Sequence, residues 1–578
     1  MKRVLGVLLL VVGLAFVPAR GGVAAVDTDC LRTVAGLDLQ TATIPQLETA
    51  MAAGTLTSQA LTKAYLDRIA AYNLGPLKIN AIRALAPDAM AQAAQMDAER
   101  KAGHLRGPLH GIPLLLKDNI GTRDMPTTAG SIAFAGNIPR REASLVTELR
   151  NAGALILGKT NLSEFANWVD LRMPNGYSSL GGQVVAPYTG GDPSGSSSGS
   201  GAGGTMAFAT AALGSETSGS ILSPSTVNSL VGIKPTLGVV SRTGVLPLAH
   251  SYDTVGPMAR SVTDAAWLLS FISAPDAADV VTQRAPGNPP VGHDYRPFLA
   301  PNALRGARIG YSSGDITPAF QKALDDISAA GATLVETDTL ANAGVVGLTE
   351  LGGIFNEFKQ GLNEYLADEA GPGLPIKNMN DLVVYNQMHK DKVKYGQTLI
   401  IASDAQSGLA LDPPSVAARV LTITNARTVI DQTLSADHLD AYVGRDALYA
   451  NVSAAAGYPT VAVPNGYVGA EPTGVSILGT AFSEPKLIGF AYDFEQHAHR
   501  RQSPTLMNPK IVGPATCVQS AAAPVGAPRV APEVLARTGG GSADPGFALV
   551  GIWLAVRGWR RRTGSLGARY GRPYVRYL

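Results

Sequence analysis

The residues best suited to chemistry lie in two Gly/Ser-rich stretches and at the end of one apolar run. GGDPSGSSSGSGAGG spans 190–204, GSETSGSILSP spans 214–224, and the intervening TMAFATAALG is small or apolar throughout. A Gly/Ser tether is solvated flexible coil, and it is not followed at once by core sequence. The two stretches are therefore expected to be two faces of one pocket, where glycine lets backbone N–H groups approach a ligand. Serine hydroxyls there act as nucleophiles only if a neighbour accepts their proton. His104, His110, His250, His293, His389, His438, His497 and His499 all fall outside both stretches. A buried lysine can serve instead, because desolvation favours the neutral amine and draws its pKa from about 10.4 toward neutrality. Lys117 closes the run IPLLL (112–116) and is followed by Asp118 and Asn119, the junction at which a strand leaves the core. It is the candidate base, and His110 beside the same run is expected to be a packing residue.

Two other motifs fit known patterns by spelling alone. GALILGKT (153–160) has the Walker A spacing, but a phosphate-cradling loop needs permissive residues where this chain has Ala-Leu-Ile-Leu, a buried strand. GSSSG (195–199) has the spacing of a nucleophile elbow centred on Ser197. An elbow follows directly on an apolar strand, whereas YTGGDPS before it is turn sequence. An esterase acting through Ser197 is thus a minor alternative.

The elements that must position these residues are legible from periodicity. Thr43 and Gln46 form a capping box that opens a first helix, and Leu61, Tyr65, Ile69 and Tyr72 share one face of a second. Apolar runs at 112–116, 154–157, 307–312 and 459–464 alternate with helical stretches, which predicts an α/β body with a mixed sheet. With 578 residues, 46% of them hydrophobic and 16% charged, the chain can bury a large core. A net charge of +2 gives no sign of a nucleic-acid partner.

Taken in order, GPLHGIPLLLKDN (107–119), GKTNLSEFAN (158–167), GSSSGSGAG (195–203), GSETSGSI (214–221), VGIKPTLGVVSRTG (231–244) and DTVGPMARSVTDAA (253–266) resemble the amidase signature family over about residues 40–500. The resemblance implies a central mixed twisted β-sheet covered by helices on both faces, and an amidase that releases ammonia from a carboxamide. It implies a Ser-cisSer-Lys triad with Ser220 as nucleophile, Ser196 as bridging serine across a cis Gly195–Ser196 peptide, and Lys117 as base. The oxyanion hole would come from backbone N–H groups of Thr217, Ser218, Gly219 and Ser220, and no metal or organic cofactor is implied. Gly195, Gln183 and Leu222 are expected to touch substrate. GSSSGSGAG, GGQ (181–183) and LGTAFSEPKLIGFAYDFEQ (478–496) are most similar to the bacterial peptide amidase branch, which implies C-terminal peptide amides as substrates. Ser218 stands where the family has Gly or Asp, and Leu222 where many members have Arg. The tRNA-dependent amidotransferase subunit shares the signature but works in the cytosol, and a wall-displayed binding protein on the same scaffold is the non-enzymatic alternative.

Both ends of the chain predict export. Lys2 and Arg3, an apolar run Val4–Val17 and small residues up to Ala25 have the layout of a signal peptide spanning 1–25. The catalytic domain is expected over 26–503, followed by an Ala/Pro-rich spacer (504–534). LARTG (535–539), the apolar stretch 547–556 and Arg560, Arg561 and Arg562 resemble a sortase sorting signal over 535–562, cut between Thr538 and Gly539, with a basic tail at 563–578. Signal peptidase and a sortase are the implied processing partners. Cys30 and Cys517, the chain's two cysteines, are a candidate disulfide in an oxidising compartment.

Overall fold

Why a lysine can end a strand inside the protein follows from how the surrounding strands are buried. The computed structural model describes residues 29–283, 293–340, 346–408 and 412–514. The expected leader, the sorting signal with Thr538 and Gly539, and Cys517 lie outside the described residues. The strands of the main sheet are β1 (Ile82–Leu85), β2 (Pro113–Lys117), β3 (Leu155–Thr160), β4 (Ala211–Glu216), β5 (Val231–Lys234), β6 (Thr254–Ala259), β7 (Arg308–Tyr311), β8 (Thr333–Glu336), β9 (Ala441–Arg445), β10 (Thr460–Val468) and β11 (Glu471–Leu478). Their order across the sheet is β8-β7-β9-β11-β10-β5-β6-β4-β2-β3-β1. β2 pairs in parallel with β3 and β4, and β7 with β8 and β9, while the remaining neighbours are antiparallel. The sheet is mixed and flanked by helices, as the alternating runs predict.

Every residue of β2 through β6 is buried. Strands covered on both faces read as continuous apolar runs rather than alternating ones, which is why IPLLL and ALIL are strands here and the Walker-like spelling is β3. Helix α1 (Ile44–Ala52) opens with the predicted capping box, Gln46 accepting from the Thr43 N–H at 2.9 Å. The stripe Leu61, Tyr65, Ile69 and Tyr72 of α2 (Ser58–Tyr72) is buried. His110 is fully buried; its Nε2 bonds the Met96 carbonyl at 2.9 Å and its Nδ1 accepts from the Arg106 N–H at 3.2 Å, a packing role.

The packed body runs past Ser503, the end expected from the loss of periodicity. Pro504–Met507 forms one helical turn, and Pro504, Thr505, Asn508 and Ile511 are buried. Asn508 Nδ2 donates to the Pro187 carbonyl at 2.6 Å. A single turn anchored by side-chain hydrogen bonds carries no periodic signal, so the sequence reads there as spacer.

Candidate active site

β2, β3 and β4 run the same way, so their carboxyl ends, Lys117, Thr160 and Glu216, meet at one edge, where open α/β sheets gather ligands. Lys117 pairs across from Thr160 and its side chain is fully buried. Its Nζ donates to Ser196 Oγ at 2.8 Å and to the Ser215 carbonyl at 2.9 Å. Burial pulls the amine down to about 7, against the opposing pull of the Asp253 and Glu216 carboxylates. At neutral pH about half of such an amine is uncharged and able to take a proton.

Ser196 sits just before α3 (Ser198–Thr205), whose sequence SGSGAGGT is buried throughout. Only small residues fit: a Cβ at Gly199 would lie under 3.0 Å from the carbonyl oxygens of Asn161 and Ala81. The Gly195–Ser196 peptide is cis, and the Ser196 carbonyl accepts from the Ser163 N–H at 3.1 Å. Ser197 is fully buried; its hydroxyl donates to the Ser215 carbonyl at 3.1 Å and accepts from the Ser215 N–H at 3.2 Å. Its hydroxyl thus both donates to and accepts from one residue's backbone, tying the start of α3 to the end of β4, which speaks against the elbow reading.

Ser220 lies in the turn between β4 and α4 (Leu222–Val227). It is 7% exposed, against 0% for Lys117 and 1% for Ser196, so of the three it is the one within reach of a ligand. Its carbonyl accepts from the Ser197 N–H at 3.3 Å, which joins the two Gly/Ser segments directly. Glu216, buried beneath this turn, accepts from the N–H groups of Ile221 (2.7 Å) and Leu222 (3.0 Å), and the Gly219 N–H also favours its charged form. Burial pushes the Glu216 carboxyl up, opposed first by Lys234. Lys234 is itself drawn down to about 8 by burial. The Thr217 hydroxyl donates to Asp253 Oδ1 at 2.5 Å, and the Ser218 hydroxyl donates to Asn451 Oδ1 at 3.0 Å. The N–H groups of Thr217, Ser218, Gly219 and Ser220, the four expected oxyanion donors, make no hydrogen bond to a protein acceptor among the described residues.

A cavity of about 20 Å³ abuts the turn, with Asn119, Ser215, Thr217, Asp253, Phe165 and Leu248 among its lining residues. Phe165 and Ala166 of its lining and the following Asn167 hold positive φ angles of 47°, 56° and 74°, a run that non-glycine residues adopt rarely.

The expected substrate contacts fare unevenly. Gly195 stands where a Cβ would lie under 3.0 Å from Ser163 Oγ, so its smallness serves the turn that carries Ser196. Leu222 is fully buried and packs with Ala450 and Ala462. Gln183 is half-buried, and its amide nitrogen donates to the carbonyls of Asn175 (2.7 Å) and Val184 (2.9 Å). Glu216, Asp253 and Asn451 escaped sequence reasoning. Glu216 had a signal, as the sole charged residue in a Gly/Ser turn; Asp253 and Asn451 reach the turn from distant parts of the chain.

A mixed α/β sheet whose parallel strand ends bring a buried lysine against a serine-bearing turn has the makings of an enzyme that activates a hydroxyl. The sequence matches the Amidase family over residues 60–398, and the chain belongs to that family. It is 38% identical over 490 residues to the "Probable amidase" of Arabidopsis thaliana, covering 82% of this chain and 93% of the relative. Peptide amidase from Stenotrophomonas maltophilia superposes with a TM-score of 0.76 at 41% identity, over 80% of this chain and 98% of that one. An amidase family protein from Bacillus anthracis superposes equally well, TM-score 0.76 at 35% identity, over 81% and 92% of the two chains. The protein is an amide-hydrolysing enzyme of the amidase signature fold.

Proposed function

We propose that Ser220, Ser196 and Lys117 hydrolyse a carboxamide through an acyl-enzyme, with C-terminal peptide amides as the substrate class. The carrying observation is a fully buried Lys117 amine 2.8 Å from Ser196 Oγ, drawn to about 7. Neutral Lys117 takes the Ser196 proton while Ser196 takes that of Ser220, a relay open to a hydroxyl because it both donates and accepts. Ser220 Oγ bonds to the amide carbon, and the resulting oxyanion is held by N–H groups of the turn Thr217, Ser218, Gly219 and Ser220. The proton stored on Lys117 returns through Ser196 to the leaving nitrogen, the C–N bond breaks and ammonia departs. Water then attacks the ester, the same relay removes its proton, and the carboxylate and free Ser220 are regenerated. Peptide amides are favoured among carboxamides by the likeness to the Stenotrophomonas enzyme.

Ammonia release from amidated peptides and simple amides, measured beside Ser220→Ala, is the test. Wild type should release ammonia and the variant should not; equal release by both overturns the reading. We further propose, from the sequence of the two ends, that the protein is exported and held at the cell wall through LARTG. Cell fractionation of Thr538→Ala should then move it from wall to medium or membrane, and an unchanged distribution would refute the anchoring.

A further inference from the structure

Asp253 lies far from the serine turns in sequence, yet it accepts three hydrogen bonds beside them. Oδ1 takes the Thr217 hydroxyl at 2.5 Å, and Oδ2 takes the N–H groups of Leu248 at 2.8 Å and Ala249 at 2.9 Å. Both oxygens are therefore engaged, although Asp253 lines the cavity. Thr217, three residues before Ser220, has an undonated N–H group among the described residues, and both Thr217 and Leu248 line the cavity. One carboxylate thus ties Thr217 and the 248–249 backbone, two parts of the cavity lining, to the start of β6.

We infer that Asp253 is a positioning residue that fixes the Thr217 N–H for the oxyanion by holding the Thr217 hydroxyl, and that it sets the width of the cavity by holding the 248–249 turn. This rests on the proposed triad. A donor misplaced by a fraction of an ångström loses most in the transition state, where the charge is greatest, so the effect belongs in kcat more than in KM. The carboxylate's bond to the threonine side chain, rather than its mere presence, carries the effect. The two residues must then act as a unit.

The test measures ammonia release by the full-length enzyme carrying Asp253→Asn, Thr217→Val, Thr217→Ser, the double variant Asp253→Asn/Thr217→Val, and Ser220→Ala as reference. Expected are losses of tenfold or more in kcat with KM changed less than threefold for Asp253→Asn and Thr217→Val. The double variant should be no worse than the poorer single one, and Thr217→Ser, which keeps the hydroxyl, should stay within threefold of wild type. If Asp253→Asn fails to fold, the Thr217 pair decides: Thr217→Val as active as wild type, or Thr217→Ser as poor as Thr217→Val, overturns the inference. Losses that multiply in the double variant overturn it too. An inactive Ser220→Ala beside a fully active Asp253→Asn rejects the positioning role alone, whereas an active Ser220→Ala rejects the triad itself.

Discussion

At Lys117 the opposing effects can be ranked by sign. Removal from water favours the neutral amine, and the nearby Asp253 and Glu216 carboxylates favour the ammonium; desolvation wins and leaves the group near 7. Because the base form is the neutral one, kcat/KM should rise with pH through about 7 and level off above it, falling about tenfold per unit on the acid side. A rate profile from pH 5 to 9 checks this, and a flat profile would remove Lys117 from the proton path. Lys117→Ala should lose about 10²–10⁴-fold in kcat, the usual worth of a positioned acid–base group, while ammonia release near the wild-type rate would contradict its role. Depressed amines also link to stability: between about 7 and the ordinary lysine value the unfolded chain binds more protons, so this residue's contribution to stability rises with pH across that window.

At the level of elements, helix α3 decides whether the two serine turns can meet. Its buried Gly/Ser/Ala surface lets the backbone lie against the carbonyls of Asn161 and Ala81, and a side chain there would push Ser196 away from Lys117. Gly199→Ala should destabilise the protein by about 1–3 kcal/mol, the range for overpacking. Both the urea midpoint and kcat should fall; an unchanged midpoint would show that the neighbours yield freely. The helix's other end is held by charge. Arg260 donates to the Gly204 carbonyl, Arg501 to that of Thr205, and Arg68 to those of Met206 and Ala207, where positive groups also favour the helix dipole.

Across the whole molecule, these same arginines join distant parts of the chain to the site. Arg501, close to the end of the described residues, also reaches Gln40 and Ser229, and Arg68 pairs with Asp29 at their start, 2.8 Å apart with both side chains fully buried. Tyr72 adds a hydroxyl donor to Asp29 at 2.8 Å. A buried pair gains little over an apolar replacement, but removal of one member strands the other's charge at a cost of about 3–5 kcal/mol. Asp29→Ala should therefore lower the unfolding free energy by that amount in urea titration; a loss under about 1 kcal/mol would mean that Arg68 finds water or another acceptor.

The sequence by itself determined the local features: the capping box at Thr43, the apolar stripe of α2, the strands hidden in IPLLL and ALIL, and the pairing of a strand-end lysine with two Gly/Ser turns. Each depends on neighbours a few residues apart, and periodicity and turn chemistry report such relations directly. The parts of the two serines are implied by the signature motifs, which are likewise local. Only the tertiary structure decided that Ser197 is bound to Ser215 rather than free, that Leu222 faces Ala450 and Ala462, and that Gln183 serves its own turn. The same holds for Asp253 and Asn451, which bond to Thr217 and Ser218 in the turn carrying Ser220. Their partners lie tens to hundreds of positions away, and which oxygen a hydroxyl meets across such a gap is fixed by the packing of whole elements, for which a linear pattern carries no signal.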